Sequence, residues 1–233
     1  MSNIAVITAR GGSKRIPRKN IRNFCGKPII AYSIEAAAES ELFDEVMVST
    51  DDDEIADISK KYGANVPFFR SAETSDDYAT TRDVLIEVLN TYKKLGSTFD
   101  HICCLYPTAP FVTSQKLRDS FEVLRRSGTD GVEPVVKFGY PPQRGFTIDE
   151  NGCLKCIHPE FSRSRSQDLE PIYHDAGQFY WYKVEECFFS SKDSLYLGTI
   201  VLPENEVQDI DTESDWILAE LKYKLWKESG NLK

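Results

Sequence analysis

The sequence predicts an α/β fold: three layers, a mostly parallel sheet with helices on both faces, and a β-hairpin arm inserted late in the chain. Three observations predict it. Short apolar runs alternate with amphipathic stretches, the rhythm of strands and helices in a sheet covered on both sides. The first apolar run, Ile4 to Thr8, passes directly into a glycine-containing loop, as a buried parallel strand does. The rhythm breaks between about residues 139 and 175, around an Asn151-Gly152 pair flanked by short apolar runs, which is a hairpin signal.

After the first strand and its loop, Pro28 stands where a helical turn begins, and the helix is expected to run through Ala38. Glu45 to Thr50 reads as a second strand. Asp51 is expected to cap a helix that runs through Lys61 and stops at Gly63. Val66 to Phe69 reads as a short strand, followed by a polar loop to about Ala79. Val84, Leu85, Val88, Leu89, Tyr92 and Leu95 then share one helical face. His101 to Tyr106 is a further buried strand, and Ser114 to Arg126 a helix with Leu117, Phe121 and Leu124 inward. Phe146 to Ile148 and Leu154 to Ile157 form the hairpin. Phe179 to Val184 and Tyr196 to Leu202 return to strand, and Thr212 caps a last helix bearing Trp216, Ile217, Leu221 and Leu225. The 233 residues suit a single domain over 1–233, with an arm at about 139–175.

Composition narrows the function. Twenty-eight basic and 37 acidic residues give a formal charge of −9, which argues against a nucleic-acid or anionic-membrane binder. No apolar stretch approaches a bilayer span. The basic residues near the start follow the apolar run, the reverse of a secretion signal. Six cysteines without such a signal read as reduced thiols. Cys153 and Cys156 lack the second pair that a structural zinc site needs. A cytoplasmic protein is expected.

The charge is nevertheless uneven. No acid precedes Glu35, while Arg10, Lys14, Arg15, Arg18, Lys19, Arg22 and Lys27 crowd the same stretch. The loop after the first strand reads Ala9-Arg10-Gly11-Gly12-Ser13-Lys14, continuing to Lys19-Asn20. Its glycines let backbone amides approach an anion, and successive amides form a nest. The pattern is neither the ATPase phosphate loop nor the dinucleotide fingerprint, and it carries more cations than either requires. Cations preorganised there suit a nucleotidyl transfer in which pyrophosphate leaves with growing negative charge. Arg10 and Lys19 are the candidate catalytic cations.

Asp209 and Asp211 flank Ile210. In an extended segment both carboxylates face one way, and hard oxygen ligands suit Mg²⁺. Asp211 is therefore the third candidate catalytic residue. Asp211 and Thr212 also read as the cap of the last helix.

The loop resembles the nucleotide-binding signature of the CMP-sialic acid synthetase family, a branch of the Rossmann-like nucleotide-diphospho-sugar transferases. Further segments resemble that family in order: Phe43-Asp44 with Val48-Ser49-Thr50-Asp51, Arg70-Ser71-Ala72-Glu73 with Asp77 and Thr80-Thr81, Tyr106-Pro107-Thr108-Ala109-Pro110, and Asp209-Ile210-Asp211-Thr212. The resemblance implies CTP as donor, an acidic nine-carbon sugar as acceptor, Mg²⁺ at Asp209 and Asp211, and a homodimer. It places Arg70, Ala79 and Thr81 at the cytosine. It leaves metal stoichiometry open, because this chain has no acid in Tyr106-Pro107-Thr108, where some members of the wider superfamily carry an aspartate.

At the sugar end the family usually shows an asparagine-glycine pair where this chain has Asp175-Ala176-Gly177. In that segment the chain resembles the pseudaminic acid cytidylyltransferase subgroup. Gln143, Arg144, Arg165, Gln167, Asp175, Gln178 and Tyr180 are the candidate sugar contacts. Arginine pairs well with an α-keto acid carboxylate, and the amides and phenol suit hydroxyl and N-acyl groups. The alternative reading of Arg163 and Arg165 is that they bind acids on a second subunit. No residue stands out as a general base. The runner-up acceptors are sialic, legionaminic and ketodeoxyoctonic acids. A non-catalytic nucleotide-binding module is the rival of another class.

Overall fold

The computed structural model describes residues 1–126 and 128–230; Ser127 and the last three residues of the expected domain lie outside the described residues. Strand β1 (Asn3–Thr8) leads through the glycine loop to two very short strands, β2 (Asn23–Phe24) and β3 (Lys27–Pro28), and then to helix α1 (Ile29–Ser40). β4 (Glu45–Ser49), α2 (Asp53–Lys61), the single turn α3 (Ala72–Ser75), α4 (Thr81–Lys94), β5 (His101–Leu105) and α5 (Ser114–Arg126) follow. The second part holds β6 (Gly131–Lys137), the hairpin β7 (Phe146–Ile148) and β8 (Leu154–Cys156), then β9 (Tyr173–Asp175), β10 (Phe179–Lys183), β11 (Leu197–Leu202) and α6 (Glu213–Glu228).

The main sheet has the order β11-β6-β10-β5-β1-β4, with β9 also paired to β6. β1 pairs in parallel with β4 and β5, and β11 with β6. β10 runs antiparallel between β5 and β6. Strands β4, β1, β5, β6 and β11 therefore share one direction, and their carboxyl ends line one edge. Ligands bind at such an edge in open α/β sheets.

Alternation along β1 explains the three layers. Ala5 and Ile7 pack with Ile30 and Ile34 of α1 and with Leu117 and Phe121 of α5. Ile4 and Val6 pack on the opposite face with Leu85, Val88 and Leu89 of α4. A strand buried on both sides has to be apolar throughout, and all four of these residues are fully buried. Both α4 and α6 open on reciprocal capping boxes, Thr80 with Asp83 and Thr212 with Asp215, each worth about 1 kcal/mol.

Three expectations are corrected. Asp52, not Asp51, caps α2, accepting a 2.9 Å bond from the Ile55 amide. Val66 to Phe69 form no strand; the backbone nearby makes one bridge, Asn65 to Met47. The strand β6 goes unread in the sequence because Pro134 interrupts its valines. The inward face of α6 is Trp216, Ala219, Tyr223 and Trp226. Ile217, Leu221 and Leu225 point outward instead.

The arm carries β7 and β8 as a separate two-stranded sheet. β9 then returns the chain to the main sheet, pairing Asp175 with Val135 and His174 with Val136. Among the described residues no helix is long and apolar enough to cross a membrane.

Candidate active site

The glycine loop is fixed by its own residues and by the end of β4. The Ala9 amide donates to the Ser49 carbonyl at 3.0 Å, and the Gly11 amide donates to Asp51 Oδ1 at 2.9 Å. The buried Asn20 side chain donates to the Arg10 carbonyl at 2.9 Å. Gly11 is required by space: a Cβ there would lie 2.8 Å from Asp52 Oδ2. That oxygen belongs to a carboxylate gripped by Arg18 in a bidentate pair, at 2.6 and 3.0 Å. The pairing holds the Asp52 carboxyl below its usual range, so the acid is charged whenever the loop is formed at neutral pH.

The cleft so formed has a volume of about 400 Å³ and is lined by Arg10, Gly12, Ser13, Lys14, Arg15, Lys19 and Asn20 with Tyr106, Pro107 and Thr108. Arg10 donates to the Asp76 carbonyl at 2.8 Å and to Asp77 Oδ1 at 3.0 Å, and Lys14 pairs with the same Asp77 carboxylate. Lys14, then Arg10, holds the Asp77 carboxyl below its ordinary range.

The aspartates meet this loop. Ile210 is fully buried in an apolar cluster with Ile16 of the loop, Phe24, Phe111 and Trp216. An extended segment that buries Ile210 turns its two neighbours the other way. Lys19 donates to the Ile210 carbonyl at 2.7 Å and stands 3.7 Å from Asp211 Oδ1. Arg15 donates to that same oxygen at 3.0 Å. The Asp209 carboxyl, open to solvent on one side, is pushed up by desolvation and by the neighbouring Asp211 charge. Two hard carboxylates that repel each other beside an open cationic cleft fit a divalent ion completed by water and phosphate oxygens. Among the described residues no three His, Cys, Asp or Glu side chains cluster to hold a metal by themselves.

Arg70 is docked on the end of β4. Its Nη2 donates to the Ser49 carbonyl at 2.7 Å and its Nε to the Ser49 hydroxyl at 3.1 Å. Ala79 is fixed by its amide, which donates to Asp76 Oδ1 at 2.7 Å. Thr81 is the first residue of α4.

The sugar candidates separate into two groups. Asp175 accepts from the Gly177 amide at 2.9 Å and from the Tyr180 phenol at 2.7 Å. It shares a cavity of about 490 Å³ with Lys137, Gly177, Gln208, Asp209 and Lys222. Tyr180 and Gln178 are buried behind this surface. The Gln178 amide donates at 2.7 Å to the carbonyl of Glu206. The other four lie on the arm. Gln143 donates to the Glu170 carbonyl, Arg144 to the Ser166 hydroxyl, and Arg165 pairs with Asp168 at 2.8 Å. Gln167 lines a smaller cavity of about 210 Å³ with Lys137, Gly139 and Ser166. Lys137, Lys222 and the counter-ion Asp77 were not among the sequence candidates for binding. Asp77 stood in the sequence only as part of the family-like segment with Arg70 and Thr80-Thr81, without its role as counter-ion to the loop.

The sequence model of the cytidylyltransferase family matches residues 4–211, so the chain belongs to the cytidylyltransferase family. It is 42% identical over 235 residues to the pseudaminic acid cytidylyltransferase of Campylobacter jejuni, covering 99% of this chain and 100% of that protein. It is 35% identical to the CMP-N,N'-diacetyllegionaminic acid synthase of Legionella pneumophila, covering 97% and 98%. In fold it is similar to CMP:2-keto-3-deoxy-manno-octonic acid synthetase solved with CTP, at a TM-score of 0.69 and 17% identity over 98% of this chain and 100% of that one.

Proposed function

We propose that the chain transfers CMP from CTP to the anomeric hydroxyl of an acidic nine-carbon sugar, with pseudaminic acid the acceptor, and releases pyrophosphate. The observation that carries this reading is the junction of Lys19 with Ile210 and Asp211, which unites an anion-binding loop with a carboxylate pair. A module that only binds nucleotide needs no such pair.

In this reading the sugar oxygen attacks the α-phosphorus in line. An O–P bond forms as the bond from phosphorus to pyrophosphate breaks. Arg10, Lys14 and Lys19 hold the triphosphate and meet the charge that grows on the departing group, so catalysis is positioning and electrostatics. Gly12 brings its backbone amide to the phosphates, Gly11 and Ser13 give the turn its shape through their own amide bonds to Asp51 Oδ1 and the Gly11 carbonyl, and Asn20 holds the loop through the Arg10 carbonyl. Arg70, Ala79 and Thr81 frame the cytosine. Asp209 and Asp211 would hold Mg²⁺, whose chemistry is to neutralise phosphate charge and acidify the attacking hydroxyl.

The choice of acceptor is supported by the full-length 42% identity to a pseudaminic acid enzyme and by Asp175, which faces the cavity shared with Asp209. A homodimer is supported by the arm, whose Phe146, Ile148, Leu154 and Ile157 are exposed, an apolar cluster that a partner surface would cover. CTP is an intracellular nucleotide, which supports a cytoplasmic location. The test is pyrophosphate release from CTP with Mg²⁺ and a panel of pseudaminic, legionaminic, sialic and ketodeoxyoctonic acids. The highest kcat/KM is expected with pseudaminic acid. A preference for another acid replaces the acceptor, and release with none of them replaces the enzyme reading by the non-catalytic one.

A further inference from the structure

The segment that delivers Asp209 and Asp211 starts at the end of β11 and, among the described residues, has no strand partner between Pro203 and Thr212. It is nevertheless tied down from three separate elements. Lys116 of α5 forms an ion pair with Glu206 at 2.7 Å, with both side chains nearly sealed from water at 13% and 14% exposure. Gln178, immediately before β10, donates to the Glu206 carbonyl at 2.7 Å. Lys222 of α6 donates to the carbonyls of Val207 at 2.8 Å and Glu204 at 3.3 Å.

We propose that Lys116, Glu206, Gln178 and Lys222 form a clamp whose role is to position the Asp209–Asp211 carboxylates for metal–nucleotide binding. The proposal rests on the reading of those aspartates as the metal pair.

Energetics single out the ion pair. Taking two opposite charges out of water costs more than an exposed pair, and apolar residues of similar volume commonly serve stability as well or better. Burial pushes the Lys116 ammonium down while Glu206 opposes the shift. Stability alone therefore gives little reason for this pair. Geometry gives one. Lys116 also donates to the Phe111 carbonyl at 2.8 Å and lies over the Trp226 ring at 5.3 Å. Phe111 and Trp226 belong to the apolar cluster that buries Ile210. One ammonium thus joins the wall of that cluster to the turn three residues before Asp209. Lys19 completes the arrangement by holding the Ile210 carbonyl. Groups that orient ligating carboxylates from behind typically change metal affinity about 10–100-fold when removed. Lys116 is a positioning residue in this account, acting through the segment, and Gln178 adds to it through its bond to the Glu206 carbonyl.

The test uses Mn²⁺ as probe, with its binding to the full-length protein plus CTP, without acceptor sugar, followed by water-proton relaxation. Lys116→Met/Glu206→Met and Lys222→Met are measured well below each variant's own melting temperature, where circular dichroism shows them fully folded. Asp211→Asn is measured beside them. A loss of about 10-fold or more in Mn²⁺ affinity is expected for the clamp variants, with binding of CTP alone changed less than 3-fold. If Asp211→Asn loses the ion while both clamp variants keep wild-type affinity, the clamp is overturned and the metal reading stands. If Asp211→Asn also keeps it, the metal reading itself fails. Should the double variant not fold, Lys222→Met decides by the same criterion.

Discussion

The Lys19 ammonium donates a 2.7 Å hydrogen bond to the carbonyl of Ile210, 191 residues further along the chain. That bond lies between two carboxylate-bearing residues and at the root of the glycine loop. It makes one site of two segments that share no strand pairing. Lys19→Met is expected to lower kcat by roughly 100-fold, the scale for losing one preorganised charge, with a smaller change in CTP affinity. Steady-state pyrophosphate release set against calorimetric CTP binding separates the two, and an equal loss in both contradicts a transition-state role.

Asp77 engages Arg10 and Lys14, two of the cations expected to hold phosphate. A carboxylate in that position competes with a nucleotide. Asp77→Asn is expected to tighten CTP binding at pH 7 several-fold, and weaker binding measured by calorimetry contradicts this competition. Lys14 first, then Arg10, depresses the Asp77 carboxyl. Its pairing is therefore complete above the unfolded carboxylate range and fades as pH falls through the lower, folded value. The advantage of the variant should shrink over that acidic window.

The raised Asp209 carboxyl has the opposite sign. Folding favours its protonated form, so its ionisation costs stability as pH rises from the unfolded value through the higher folded value. Asp209→Asn should therefore melt roughly 1–3 °C above the wild type at pH 7 without divalent ions, a fraction of a kcal/mol in a chain of this size. Turnover should be lost in the same variant. A lower melting temperature contradicts the repulsion between the two aspartates.

Gly11→Ala places a Cβ 2.8 Å from Asp52 Oδ2, and that carboxylate is clamped by Arg18 and cannot yield freely. A cost of about 1–3 kcal/mol in denaturant unfolding is expected, together with weaker CTP binding. Unchanged stability would show that the loop relaxes around the new methyl.

The phosphate loop and β1 were legible in the sequence because their signal is local: an apolar run, glycines and cations in a few consecutive positions. The alternation around Ile210 was legible for the same reason. The meeting of the loop with that segment was expected through the family resemblance and not from any local signal, since it depends on Ile16 and Ile210 sharing a cluster assembled by α6. In α6 the pattern offered two apolar faces. The aromatic face with Trp216, Tyr223 and Trp226 won the core, leaving Ile217, Leu221 and Leu225 in water. At α2 two adjacent acids competed for the cap, and Asp51 was taken instead by the Gly11 amide. Burial of Gln178 and Tyr180 was also beyond local reading, because it follows from β10 lying between β5 and β6.

Asp211→Asn tests the central claim most directly, that the cationic loop and the carboxylate pair work as one nucleotidyl-transfer site. The measurement is pyrophosphate release from CTP and pseudaminic acid with saturating Mg²⁺, alongside circular dichroism of the same preparation. A folded protein with turnover lowered at least about 100-fold is the predicted result, whereas a folded protein turning over near the wild-type rate would contradict the account.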